Sequence, residues 1–69
     1  MPSTLEIAID ALRGRFLRLR TRPFEEMQED VRVSHFTLKR FAQGKPVQEG
    51  TLRLIDAWCA RQEEGQPHG

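Results

Sequence analysis

Val31-Arg32-Val33-Ser34-His35-Phe36-Thr37-Leu38-Lys39-Arg40-Phe41-Ala42-Gln43-Gly44 (residues 31–44) is the stretch on which the fold turns. Ser34 is a residue type that caps helix N-termini, because its hydroxyl can accept a backbone N–H of the first turn. Gly44 is the type that ends them in the left-handed region. Together they predict a short helix 3 over about 35–42. At 100° per residue its two faces differ sharply. Thr37, Leu38 and Phe41 share one arc, which points to a core, while Phe36, Lys39, Arg40 and Gln43 gather on the opposite side with His35 at its margin.

The flanking sequence continues in the same helical idiom. Pro23 disfavours helical geometry at Arg22 and suits the first position of a new helix, so Thr21-Arg22-Pro23 separates helix 1 from helix 2. Helix 2 is expected from about Pro23 to Asp30, with Glu25 and Glu26 complementing the helix dipole in its first turn. Phe24, Met27 and Val31 form its core side. Upstream, Ser3-Thr4-Leu5-Glu6 fits a capping box and starts helix 1 near residue 4. Leu5, Ala8, Ile9, Leu12, Phe16 and Leu19 fall in one arc roughly 100° wide, the width of a core-facing stripe. Ile7, Ala11 and Gly14 make a smaller second patch. Downstream, Lys45-Pro46-Val47 reads as a loop and Thr51 as the cap of helix 4, which carries Leu52, Ile55 and Cys59 on one face with Leu54 and Trp58 alongside. Period-2 alternation is lacking throughout. The expectation is an all-α, compact four-helix domain over 1–62 with a flexible C-terminal tail over 63–69.

Composition narrows the function classes. In 69 residues, 38% hydrophobic and 30% charged, there is little room for a deep enzyme cleft, and no base–nucleophile pair suggests catalysis. The single cysteine, Cys59, forms no internal disulfide and reads as a small buried hydrophobe. His35 and His68 lie in no metal-ligand spacing, so neither metal nor cofactor is expected. No run approaches the ~20 apolar residues that span a bilayer, and no export signal opens the chain. The formal net charge is only +1, but its distribution is uneven. Over 1–22, five arginines outweigh Glu6 and Asp10 by three; over 23–34, Glu25, Glu26, Glu29 and Asp30 outweigh Arg32 by three. Over 35–50, Lys39, Arg40 and Lys45 outweigh Glu49 by two. The second positive block, over 35–50, coincides with helix 3.

Two short helices joined by a tight turn, the second with a basic outer face, form a helix-turn-helix arrangement from helices 2 and 3. Residues 31–41, followed by Gly44 and Thr51-Leu52-Arg53-Leu54-Ile55-Asp56-Ala57-Trp58, resemble the turn, recognition helix and following helix of lambda-repressor-like DNA-binding domains. The resemblance is close over about 23–61 and looser in helix 1. That family usually has a small residue, often Ala, where Gln28 stands, and Gly where Arg32 stands. The resemblance implies a sequence-specific regulator of phage or bacterial transcription, a repressor occupying a double-stranded operator in the cytoplasm of a bacterium or phage-infected host.

Major-groove chemistry assigns the outer face of helix 3. Arg40 is suited to guanine O6 and N7, Gln43 to adenine, and Lys39 and His35 to a base or a phosphate. Phe36 has two readings, packing on thymine methyl groups or folding back over helix 2. Ser34, Thr37 and Lys45 are expected at phosphates. One such unit reads few base pairs, so a homodimer on half-sites about one helical turn apart is expected. Trp58 reads as core sooner than as interface, yet the Leu54, Trp58 and Arg61 edge of helix 4 is the preferred dimer surface, with Ile7, Ala11 and Gly14 as its rival. The runner-up function is a protein-binding adaptor of the same fold that docks on the transcription machinery, since an acidic helix 2 and a +1 balance are poor assets for tight non-specific DNA binding.

Overall fold

Phe16 gathers one aromatic ring from each of the other three helices. In the computed structural model, which describes residues 4–65, α1 spans Thr4–Leu19, α2 Phe24–Val31, α3 His35–Ala42 and α4 Glu49–Gly65. The Phe16 ring stacks on Phe24 of α2 at 5.9 Å between centroids, and meets Phe41 of α3 at 5.8 Å and Trp58 of α4 at 5.5 Å edge to face. Offset and T-shaped geometries are those that the ring quadrupole favours. Met27, Val31, Val33, Leu38, Ile55 and Cys59 complete the buried core, with Ile9, Leu12, Leu19, Val47 and Leu52 packed against it. No strand occurs among the described residues, and the all-α four-helix architecture is as expected.

Helix boundaries differ from expectation at both ends of α4 and at the start of α2. α4 begins at Glu49, two residues before Thr51, because the Leu52 N–H already reaches the Gln48 carbonyl at 3.2 Å. Thr51 therefore sits inside the first turn rather than capping it. At the other end α4 continues through Glu63 and Glu64 to Gly65, into the segment expected to be a flexible tail from residue 63. Glu63 is held there by Arg15 of α1, which also pairs with Asp56 at 3.1 Å. The expected Ser3 cap and residues 66–69 lie outside the described residues. Pro23 flanks α2 rather than opening it, and its carbonyl accepts the Glu26 and Met27 N–H groups.

The turn between α2 and α3 is three residues, Arg32 to Ser34. Arg32 adopts the left-handed conformation, φ 66° and ψ 32°, and its N–H closes on the Gln28 carbonyl at 2.9 Å. A residue with a Cβ pays about 1–2 kcal/mol to sit there. Arg32→Gly is therefore expected to stabilise the fold by about 1 kcal/mol, after the greater flexibility of glycine in the unfolded chain is offset. The check is a thermal melt, with the midpoint rising by roughly 4–8 °C. An unchanged or lower midpoint would show that Arg32 holds the turn by something other than its backbone.

At its far end α3 is fastened to α1. The Arg13 Nε donates to the Phe41 carbonyl at 2.7 Å, its guanidinium lies 5.4 Å from the Phe41 ring centroid, and Asp10 holds its other edge at 2.6 Å. Gly44 then turns the chain away at φ 85°, the left-handed terminator expected of it. Residues 45–48 are non-helical and lead into α4.

Candidate nucleic-acid interface

The buried side of α3 is settled by Leu38 and Phe41, both fully inaccessible, and this forces residues 36, 39, 40 and 43 outward. Ser34 caps the helix as expected, accepting the Thr37 N–H at 3.3 Å, with the two hydroxyls 3.0 Å apart. Both hydroxyls, expected at phosphates, are thus engaged at the cap, although Ser34 stays exposed and Thr37 half-buried.

Phe36 is 68% exposed, so it does not fold back over α2 as peripheral core. Its ring lies against that of His35, centroids 4.0 Å apart and planes tilted by 35°. His35 is half-buried, and both its backbone N–H, at 3.3 Å, and its ring Nδ1, at 3.1 Å, face the Gln28 side-chain oxygen. Gln28, standing where the resembled family has a small residue, therefore ties α2 to the start of α3. Arg40 and Gln43 are exposed, and Lys45 stands just beyond in the loop. None of these three side chains has a hydrogen-bond or ion-pair partner among the described residues. Arg40 lies where α3 meets the next loop, lining a shallow cleft with Thr37, Gln48 and Thr51.

Lys39 is different. Its ammonium sits 3.2 Å from the Glu25 carboxylate of α2. Hydrogen bonding to the Glu25 backbone N–H, and then to Lys39, holds the Glu25 carboxyl below the ordinary carboxylate range. Sequence reasoning explains Glu25 by the helix dipole alone and gives Gln28 no role in the site. The signal is nonetheless present in spacing. Residues 25 and 28 share one helix face, as do 35 and 39, and a three-residue turn apposes those faces.

The expected dimer edge is corrected at its centre. Trp58 is 3% exposed and belongs to the core beside Phe16, so it offers no anchor to a partner. Arg61 donates to the Asp30 carbonyl at 3.1 Å, fastening α4 to the end of α2, and Leu54 is left as a half-exposed side chain. The rival patch is open to solvent, with Ile7 57% exposed and Ala11 and Gly14 at the surface beside it. Leu5, Ala8, Leu12 and Leu52 line a shallow groove next to it, between α1 and α4.

Among the described residues no group of three or more His, Cys, Asp or Glu side chains is placed to hold a metal ion. The Cys59 thiol is buried, and burial pushes it further toward the neutral form, as a packing residue requires. No helix of the described chain is long and apolar enough to cross a membrane. No protein-family model, curated protein or solved structure matches the chain.

Proposed function

We propose that the chain is a sequence-specific double-stranded DNA-binding regulator, in which α2, the Arg32–Ser34 turn and α3 act as a helix-turn-helix and α3 enters the major groove. The observation that carries this reading is the division of α3. Leu38 and Phe41 are wholly buried, while Phe36, Arg40 and Gln43 stand out from the surface, and neither polar side chain is engaged within the described chain. The major groove admits a helix of this kind and offers guanine O6 and N7 to an arginine and methyl groups to an apolar ring. Lys45 is suited to phosphate, and His35 to a base or phosphate at the other end of the helix. Two copies on a two-fold site supply the base pairs that one copy lacks, and occupancy of such a site blocks transcription from it. This activity belongs to a bacterial or phage-infected cytoplasm and calls for no cofactor.

The Glu25–Lys39 pair favours a second reading, a protein-binding adaptor of the transcription machinery, because it removes one free cation from the face DNA would meet. Selection from a randomised duplex library at low salt, followed by native mass measurement, separates the two. The expected result is enrichment of a short two-fold motif with half-sites about 10 base pairs apart, bound by two chains, with affinity falling steeply as salt rises. A selection that enriches nothing transfers the proposal to the adaptor.

A further inference from the structure

Three cations stand on or beside α3, and they are not equivalent. Arg40 and Lys45 have no partner among the described residues, while Lys39 is held at 3.2 Å by Glu25. The pair is roughly half exposed, with 47% of the Lys39 side chain and 53% of that of Glu25 open to solvent. Solvent access at this level lets a phosphate compete for Lys39 without any rearrangement of the helices. It also keeps the pair weak as a stabiliser of the fold. Glu25 lies in the first turn of α2, where its carboxylate faces Lys39 across the turn between the two helices.

A duplex docked on α3 leaves Lys39 two courses. It stays on Glu25 and makes no phosphate contact, or it moves to a phosphate and leaves the Glu25 carboxylate facing a polyanion. Either course lowers affinity through charge alone, without regard to base sequence. We infer that Glu25 is an intramolecular competitor of DNA phosphate for Lys39, and that it limits sequence-blind affinity so that binding depends on the base-facing side chains. This inference rests on the DNA reading.

The test is a four-protein cycle of parent, Glu25→Gln, Lys39→Gln and the double variant. Each is titrated with the selected duplex and with a scrambled duplex of about 20 base pairs, from about 50 to 200 mM salt. Freeing Lys39 adds one counterion-releasing contact. Glu25→Gln should tighten both duplexes by the same factor, roughly tenfold at the lowest salt, and steepen the salt slope by about 0.9. Lys39→Gln leaves the Glu25 carboxylate unpaired against the duplex and should weaken both duplexes alike, whereas the double variant should return only to about the parent's affinity and lack the gain of Glu25→Gln. Far-UV melts of the four proteins confirm that each is folded under the binding conditions. A parent that binds duplex and a Glu25→Gln protein with the same affinity and slope overturns the inference and leaves the DNA reading standing. A gain confined to the selected duplex overturns it too, since the freed Lys39 would then be reading a base rather than binding phosphate. If neither the parent nor Glu25→Gln binds any duplex at the lowest salt, both the inference and the reading fall.

Discussion

Phe16→Ala is expected to leave much of the chain unfolded at 25 °C. The ring is fully buried and meets an aromatic ring from each of the other three helices, at centroid separations of 5.5 to 5.9 Å. Truncating such a residue removes its transfer free energy and leaves a cavity the neighbours only partly fill, a destabilisation of about 3–5 kcal/mol. A chain of this length has only about 3–10 kcal/mol of stability in total. The melting midpoint should fall by roughly 15–30 °C, or the cooperative transition should disappear. Phe36→Ala deletes the same atoms from a side chain that is 68% exposed, and should move stability by no more than about 0.5 kcal/mol. Circular dichroism melts of the two proteins decide the matter. A Phe16→Ala protein melting within a few degrees of the parent would show that the four helices are held by contacts other than this aromatic centre.

That pair of phenylalanines also marks how much of the fold was legible in the sequence. Helical periodicity puts Phe16 inward and Phe36 outward, and the structure agrees, because direction on a helix follows from 100° per residue alone. Periodicity does not say how far the neighbouring helix extends. Leu5 lies on the same inward stripe as Phe16 yet is 67% exposed, since its neighbours across the groove on α4 include the wet side chains Glu49 and Arg53. Trp58 falls on its core reading and not on its interface reading. Its angle places it beside the core stripe of α4, but α4 packs on both α1 and α2, and its buried arc is wide enough to enclose the indole. Turn chemistry is half legible. Ser34 and Gly44 are residue types that announce a cap and a terminator, whereas Arg32 gives no local sign that its backbone is left-handed. The polar links from Glu25 to Lys39 and from Gln28 to His35 depend on how two helices are apposed, at which only the resemblance to a helix-turn-helix hints.

On the proposed DNA-binding reading, Arg40→Ala should carry the largest effect on duplex affinity of any change on α3. Its guanidinium is exposed, unpartnered among the described residues, and always charged, whereas the neighbouring Lys39 is already engaged by Glu25. A planar fork can take guanine O6 and N7 together, and a good bidentate contact is worth about 1–3 kcal/mol of discrimination. The expected weakening on the selected duplex is therefore roughly 5- to 150-fold, with preference relaxed at one base position per half-site. Arg40→Lys should recover part of the affinity but not the preference, because an ammonium is a point charge without the fork. Lys45→Ala supplies the contrast. Removing an ammonium that binds phosphate weakens selected and scrambled duplexes alike and flattens the salt slope by about 0.9. Should Arg40→Ala behave as Lys45→Ala is expected to, Arg40 is a phosphate ligand, and base readout falls to Phe36 and Gln43, the other outward side chains of α3 and its cap without an ionic partner.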